Sequence, residues 1–279
     1  MMEPQVLRLR KAPIDIADFK QADGRMRMAR PEDVTLLVDR STLIYDVEQE
    51  EVTVAYLQLD EPADDVVQAL KRIPYVEDAR PSGVASKAKI IGYRGPSQLR
   101  GRGFCSSATL EDEDPQAHHL IMGYASKVAR YYEQFHPSLY AEHQKQAEKV
   151  LPEWRIEDSP FTSGIVNRDN VLAYHHDAGN FKNVWSNMLG FKYGVTGGYL
   201  NVPEYGLALE IADNSLTMFD GQGLLHGVTP FQRTRRDSYR FTIVYYALKA
   251  LWQCKDPVEN VKAAARKRVE REERRAGLA

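Results

Sequence analysis

The apolar positions of the chain change period along its length. Between residues 32 and 60, "VTLLVDRSTLIYDV" and "VTVAYLQL" carry the Val, Ile, Thr and Tyr enrichment of strands, which predicts a small sheet. After Glu61-Pro62 the spacing lengthens: Val66, Val67, Leu70 and Ile73 recur at helical intervals behind Asp64 and Asp65, predicting a short helix. A longer helical stretch follows the acidic run "EDEDP" at 111–115, with Ile121, Tyr124, Ala125, Val128, Tyr131 and Tyr132 on one face. A further helix is expected from Ser138 to Val150. From Phe161 to Trp252 the texture turns to short β-type runs ("GGYLNV", "GLALEI", "SLTMFD", "GLLHGVTPF", "YRFTIVYYAL") separated by Gly, Asn and Asp turns, as in an antiparallel sandwich or jelly roll. From Asp256 the chain reads as a charged helix, with Arg266/Glu270 and Glu270/Arg274 four apart.

These elements make an α+β chain in three parts. Residues 1–110 form an N-terminal α/β extension, 111–255 a helical layer with a jelly-roll core, and 256–279 a charged C-terminal helix. The extension ends in a Gly-, Ser- and Pro-rich segment in which Lys87, Lys89, Arg94, Arg100 and Arg102 alternate with Tyr93 and Phe104. Interleaved cations and rings suit a nucleic-acid strand, because cations neutralise phosphates and rings stack on bases; a solvated surface loop is the other reading.

Composition narrows the picture. Hydrophobic content of 43% and charged content of 27% are those of a folded globular protein. A formal net charge of −2 supplies no global positive field, so nucleic acid would have to be met by a local patch. The two cysteines, Cys105 and Cys254, have no metal-ligand spacing, which fits a reducing cytoplasm. Residues 1–20 lack the apolar stretch of a signal peptide, and Phe241 to Trp252, interrupted by Lys249, is too short to span a bilayer. A soluble cytoplasmic protein is expected, with no membrane and no obligate protein partner.

The candidate chemistry lies in the β-rich part. His175 and Asp177 are two residues apart, so on an extended strand an imidazole and a carboxylate project from one face, and His176 from the other. His226 is the only histidine after the pair, and completes a 2-His-1-carboxylate set. Such a set occupies one face of an octahedral iron and leaves the opposite face for an α-keto acid and dioxygen. The keto acid's distal carboxylate needs a cation, and Arg240, opening the strand "RFTIVYYAL", offers a planar fork for it. His118, His119, His136 and His143 have no carboxylate at such a spacing and read as surface or packing residues.

These residues resemble a known family. "HHDAGN" is similar to the H-x-D-x-x-N signature of the TET/JBP superfamily of DNA 5-methylpyrimidine dioxygenases, and "YRFTIVYYALK" resembles that family's Arg-bearing strand. With "GIVNRDN", "NVWSNM" and "IADNSLTMFDGQGLLHGV", the stretch from Phe161 to Trp252 looks most like the TET-like proteins of bacteriophages. The resemblance implies a double-stranded β-helix core with flanking helices. It implies Fe(II) on His175, Asp177 and His226, and 2-oxoglutarate on Arg240 and Thr242, with dioxygen as the second co-substrate. It also implies a flipped or single-stranded base in DNA held by Asn180 and stacked on Tyr246, with the host cytoplasm as the setting. Leu248 departs from the pattern: animal members carry a base-contacting histidine there.

The reaction so implied is oxidation of the 5-methyl group of 5-methylcytosine to 5-hydroxymethylcytosine and onward. Conversion of thymine to 5-hydroxymethyluracil, and oxidation of a small molecule or protein side chain, stand as alternatives. In the DNA reading Arg94, Arg100 and Arg102 line the strand. A non-catalytic jelly-roll module is the competing class and implies no iron.

Overall fold

The structure is a computed structural model that describes residues 3–79, 85–96 and 103–275. Its strands are β1 (Gln5–Leu9), β2 (Leu36–Val38), β3 (Thr42–Asp46), β4 (Glu51–Gln58), β5 (Val76–Ala79), β6 (Ala85–Arg94) and β7 (Ser106–Ser107). After the helices come β8 (Ser163–Arg168), β9 (Leu172–His175), β10 (Ser186–Tyr193), β11 (Val195–Gly197), β12 (Leu200–Val202) and β13 (Leu207–Leu209). The last four are β14 (Ser215–Phe219), β15 (His226–Val228), β16 (Phe231–Arg233) and β17 (Tyr239–Tyr246). The helices are α1 (Asp64–Arg72), α2 (Thr109–Glu113), α3 (Pro115–Phe135), α4 (Pro137–Ala147) and α5 (Pro257–Arg275).

Ten strands form one mixed sheet in the order β1-β3-β4-β14-β10-β17-β8-β6-β5, with β7 attached to β6. Five more form a second sheet, β2-β13-β12-β15-β9, and β11 pairs with β16. Two sheets over one core, with helices outside, is the α+β jelly roll expected from the strand texture. The predicted small N-terminal sheet does not form by itself. β4 instead pairs antiparallel with β14, Tyr56 opposite Thr217, and β2 lies parallel to β13. β4 is buried on both faces, so it needs a layer on each side, which a free-standing hairpin would not give.

Strand alternation sorts β17 between two environments. Phe241, Ile243 and Tyr245 face the helical layer, where Leu189 and Phe191 of β10 meet Val66 and Leu70 of α1 and Ile121 and Val128 of α3. Each such fully buried side chain contributes roughly 1.5–3 kcal/mol, which fixes the layer on the sheet. The intervening residues Arg240, Thr242, Val244 and Tyr246 face the space between the sheets. The acidic run is divided: residues 111–113 close α2, while Asp114 caps α3 by accepting from the Ala117 amide ahead of Pro115 at the first helical position.

His143 is wholly buried on α4 against Tyr132, Phe161 and Phe181, and neither ring nitrogen has a hydrogen-bond partner. Burial pushes its pKa down to about 3. The unfolded chain takes up this proton near pH 6.5, whereas the folded one does so only near 3. The stability that the neutral ring contributes is therefore complete above pH 6.5 and is lost as pH falls toward 3. The slope is about 1.4 kcal/mol per pH unit. His143→Phe should flatten the fall by about 2 kcal/mol between pH 7 and 5, read from denaturant unfolding at the two values. Parallel pH profiles for the two proteins would contradict it.

Two expectations are corrected here. The basic segment is not a loop throughout: 85–94 is the interior strand β6, hydrogen-bonded to β8 and β5, its strand character masked by Gly-, Ser- and Pro-rich flanks. Lys89 is buried there against Glu113, and the half-buried Arg94 donates through Nε and Nη2 to the Ser107 carbonyl. Arg100 and Arg102 lie outside the described residues. Second, Cys105 and Cys254 are joined as a disulfide, Cα atoms 5.8 Å apart, which no local spacing could foretell across 149 residues. No helix among the described residues is long and apolar enough to cross a membrane.

Candidate metal centre and co-substrate cavity

His175 ends β9, and His226 opens the neighbouring strand β15 directly opposite it in the antiparallel register. Each imidazole has Nδ1 on the carbonyl of the residue two before it, Ala173 at 2.9 Å and Leu224 at 3.0 Å. A carbonyl only accepts, so Nδ1 carries the proton and Nε2 keeps its lone pair. Both Nε2 atoms lie 3.7 Å from Oδ1 of Asp177, and the three ligand atoms fall within 4.8 Å of one another. Burial pulls the pKa of His226 down to about 4, which keeps the ring in its neutral, ligating form. The donor set, two lone pairs and a carboxylate oxygen converging on a point, fits a divalent iron.

Sequence reasoning placed His175 and Asp177 on one strand face; the strand in fact stops at His175, and Asp177 lies in the loop that follows. Strand alternation therefore does not set the orientation of His176, which is exposed and lines the same cavity. The loop is held from the segment between β14 and β15. The Asp177 amide donates to the Gly221 carbonyl at 2.8 Å, and Gln222 Nε2 donates to the carbonyls of Asp177 and Asn180 at 3.4 and 3.2 Å. Gly179, at φ +88°, turns the chain in a conformation a side chain would strain. Asn180 then bridges Leu248. Its Nδ2 lies 3.4 Å from Oδ2 of Asp177 and 3.3 Å from Ser186 Oγ. So one carboxylate oxygen faces the histidines while the other is oriented by Asn180.

Arg240 lines a cavity of about 260 Å³ together with His175, Asp177, His226, Thr242, Tyr246 and Leu248. Its guanidinium is 2% exposed and donates to the carbonyls of Asn170 and Gly198, at 3.2 and 3.0 Å, while Nε has no partner. Burial lowers its pKa to about 10, well above neutrality, so the cation persists. The Asp169 carboxylate accepts from the Arg240 backbone amide at 3.2 Å and is ion-paired with Arg233 at 2.7 Å; its charge offsets part of the effect of burial on Arg240 without forming an ion pair with the guanidinium. Among the described residues the guanidinium has no ion-pair partner. A buried cation so placed calls for an anion from outside, which a dicarboxylate co-substrate supplies.

Beside it Thr242 Oγ1 accepts from Asn167 Nδ2 at 3.1 Å, and Asn167 Oδ1 accepts from Asn170 at 3.0 Å. Sequence reasoning missed Asn167, Asn170, Ser186 and Gln222. One signal was available for the first: in "GIVNRDN" Asn167 falls in phase with Ile165, a polar residue on an otherwise buried strand face. Arg94 is absent from the cavity lining, whereas Asn180 and Tyr246 are both in it.

The family described as the oxygenase domain of the 2OGFeDO superfamily (Tet_JBP) matches residues 102–249, just over half of the chain. No curated protein matches. Among solved structures, "NgTET1 in complex with 5mC DNA" is 14% identical with a TM-score of 0.59, covering 95% of this chain and 91% of that one. A 2OG-Fe(II) oxygenase-family oxidoreductase from Burkholderia pseudomallei is 13% identical with a TM-score of 0.43, over 70% and 84%. The first likeness is one of fold.

Proposed function

The chain belongs to the Tet_JBP oxygenase-domain family of the 2OGFeDO superfamily, and from that premise we propose that it oxidises the 5-methyl group of a pyrimidine in DNA. The observation that carries the oxygenase part is the pairing, in one cavity, of the His175–Asp177–His226 cluster with the buried, anion-seeking Arg240. His175 and His226 would bind Fe(II) through Nε2, and Asp177 through Oδ1. Arg240 and Thr242 would hold the distal carboxylate of 2-oxoglutarate. With dioxygen, that pair of bound groups supplies the oxidant for a methyl C–H bond.

The chain's own residues position and enclose the substrate. A methyl inside a duplex is out of reach of this cavity, so the base must be flipped out or already unpaired. Tyr246 and Leu248 offer a ring and an apolar wall to its face and edge, and Asn180 an amide. The DNA part of the reading is supported by the TET/JBP-like residues and by the fold shared with a protein solved on 5mC DNA. Leu248 has no hydrogen-bonding group with which to tell cytosine from thymine, so both are substrates to test.

The protein should be incubated with Fe(II), 2-oxoglutarate and oligonucleotides containing 5-methylcytosine or thymine, then the DNA digested and the nucleosides weighed. One added oxygen on either base, dependent on 2-oxoglutarate, is the expected result. Succinate release with unchanged nucleosides would move the substrate out of DNA while leaving the oxygenase reading in place.

A further inference from the structure

We propose that a lysine shelf at the lip of the cavity, Lys149, Lys182 and Lys249 around the indole of Trp252, carries the sugar-phosphate strand flanking the target base. This rests on the DNA reading above. Three segments meet to build the shelf: the end of α4, the turn after Asn180 and the 3-10 turn Lys249–Gln253. The Lys249 amide donates to the Gly179 carbonyl and the Phe181 amide to that of Ala247. Gln146 Nε2 donates to the Lys182 carbonyl at 3.4 Å, while the Gln146 carbonyl accepts from the Trp252 indole at 3.3 Å. The shelf is thereby tied to the cavity wall, because Leu248 and Asn180, one and two residues from Lys249 and Lys182, line it.

No ion pair engages Lys149, Lys182 or Lys249 among the described residues. Partial burial and the neighbouring Lys182 together lower the pKa of Lys249, a sign of cations held close together. On a chain of net charge −2, such a cluster next to a reactive cavity is a local attractor for an anionic polymer. Trp252 adds a flat apolar surface: it is 37% exposed, its ring is braced by Phe181 at 5.0 Å, and Lys149 Nζ lies 5.1 Å over it. Cations around an exposed ring are what a single strand binds, phosphates to the ammonium groups and a base or sugar to the indole. The cations of β6 are engaged elsewhere, Lys87 with Glu77, Lys89 with Glu113 and Arg94 with the Ser107 carbonyl, whereas the shelf is tied directly to the cavity wall.

The test is the anisotropy of a labelled 12-nucleotide single strand carrying one 5-methylcytosine, titrated anaerobically with the Fe(II)-loaded protein from 50 to 200 mM salt. Replacing Lys182 and Lys249 by Gln should shrink the slope of log K against log salt by about 1.4, some 0.7 for each phosphate that is no longer neutralised. Trp252→Ala should weaken binding about 5- to 150-fold and leave the slope in place. Arg8→Gln with Arg10→Gln, on β1 and just after it, should change neither, and thermal melting verifies that each variant is folded. If the unaltered protein binds but the double lysine variant keeps its slope, the shelf is overturned and the DNA reading survives. If the unaltered protein binds neither this strand nor the duplex made from it, the DNA reading falls and the shelf with it; if it binds the duplex alone, the shelf as a single-strand site is overturned and the DNA reading survives.

Discussion

Gly221→Ala is expected to strip the protein of Fe(II) without unfolding it. A Cβ at this position would stand 2.4 Å from Oδ2 of Asp177, closer than such atoms approach, and a crowded 3.1 Å from its Cγ, and the backbone bond from the Asp177 amide to the Gly221 carbonyl keeps the two segments from separating. The carboxylate must yield, and with it the Oδ1 position facing both histidines. Disturbing the groups that orient a metal ligand commonly costs 10- to 100-fold in metal affinity or activity. Displacing the ligand itself should reach at least the upper end. Gly123→Ala is the matched control: it sits in α3 with nothing near its added methyl and should raise stability by about 0.5–1 kcal/mol, leaving iron binding unchanged. Equal Fe(II) affinity in both variants would show that Gly221 has no part in seating Asp177.

Arg240→Gln separates co-substrate binding from metal binding. The guanidinium lies on the same strand face as Thr242, with Asn167 and Asn170 beside it in the cavity lining, and an anion bound there exchanges hydrogen bonds with a permanent, desolvated charge. Removing one partner of such a pair costs about 3–5 kcal/mol, equivalent to a rise of roughly two to three and a half orders of magnitude in the KM for 2-oxoglutarate. Fe(II) affinity should hold. Arg240→Lys keeps a charge but not the planar fork, and should fall between the two. Succinate release measured across 2-oxoglutarate concentrations gives all three values. An unchanged KM in Arg240→Gln would place the co-substrate carboxylate elsewhere.

The candidate metal cluster was legible because His and Asp are ligating residue types, and a histidine two before an aspartate is followed by one further histidine in the same β-rich part. Arg240 and Thr242 were legible because strand period places both on one face. What surrounds them was not. Gly221, Gln222 and Asp177 meet across more than forty residues, through backbone carbonyls that no side-chain pattern records. Asn180, read from the resemblance as a base contact, also orients the metal-side carboxylate, a relation visible only once the turn at Gly179 is folded. The helical layer followed its periodicity closely, since an amphipathic stripe is a local property. Strand partnership is not local, so the joining of β4 to β14, the interior place of β6 and the closure of Cys105 on Cys254 had to come from the fold.

Everything proposed depends on iron at the His175–Asp177–His226 cluster. Anaerobic titration of the purified chain with Fe(II), beside His175→Ala and Asp177→Ala, tests this most directly. The expected result is one ion per chain in the unaltered protein and at least 100-fold weaker binding in each variant. Equal iron in all three proteins would contradict it.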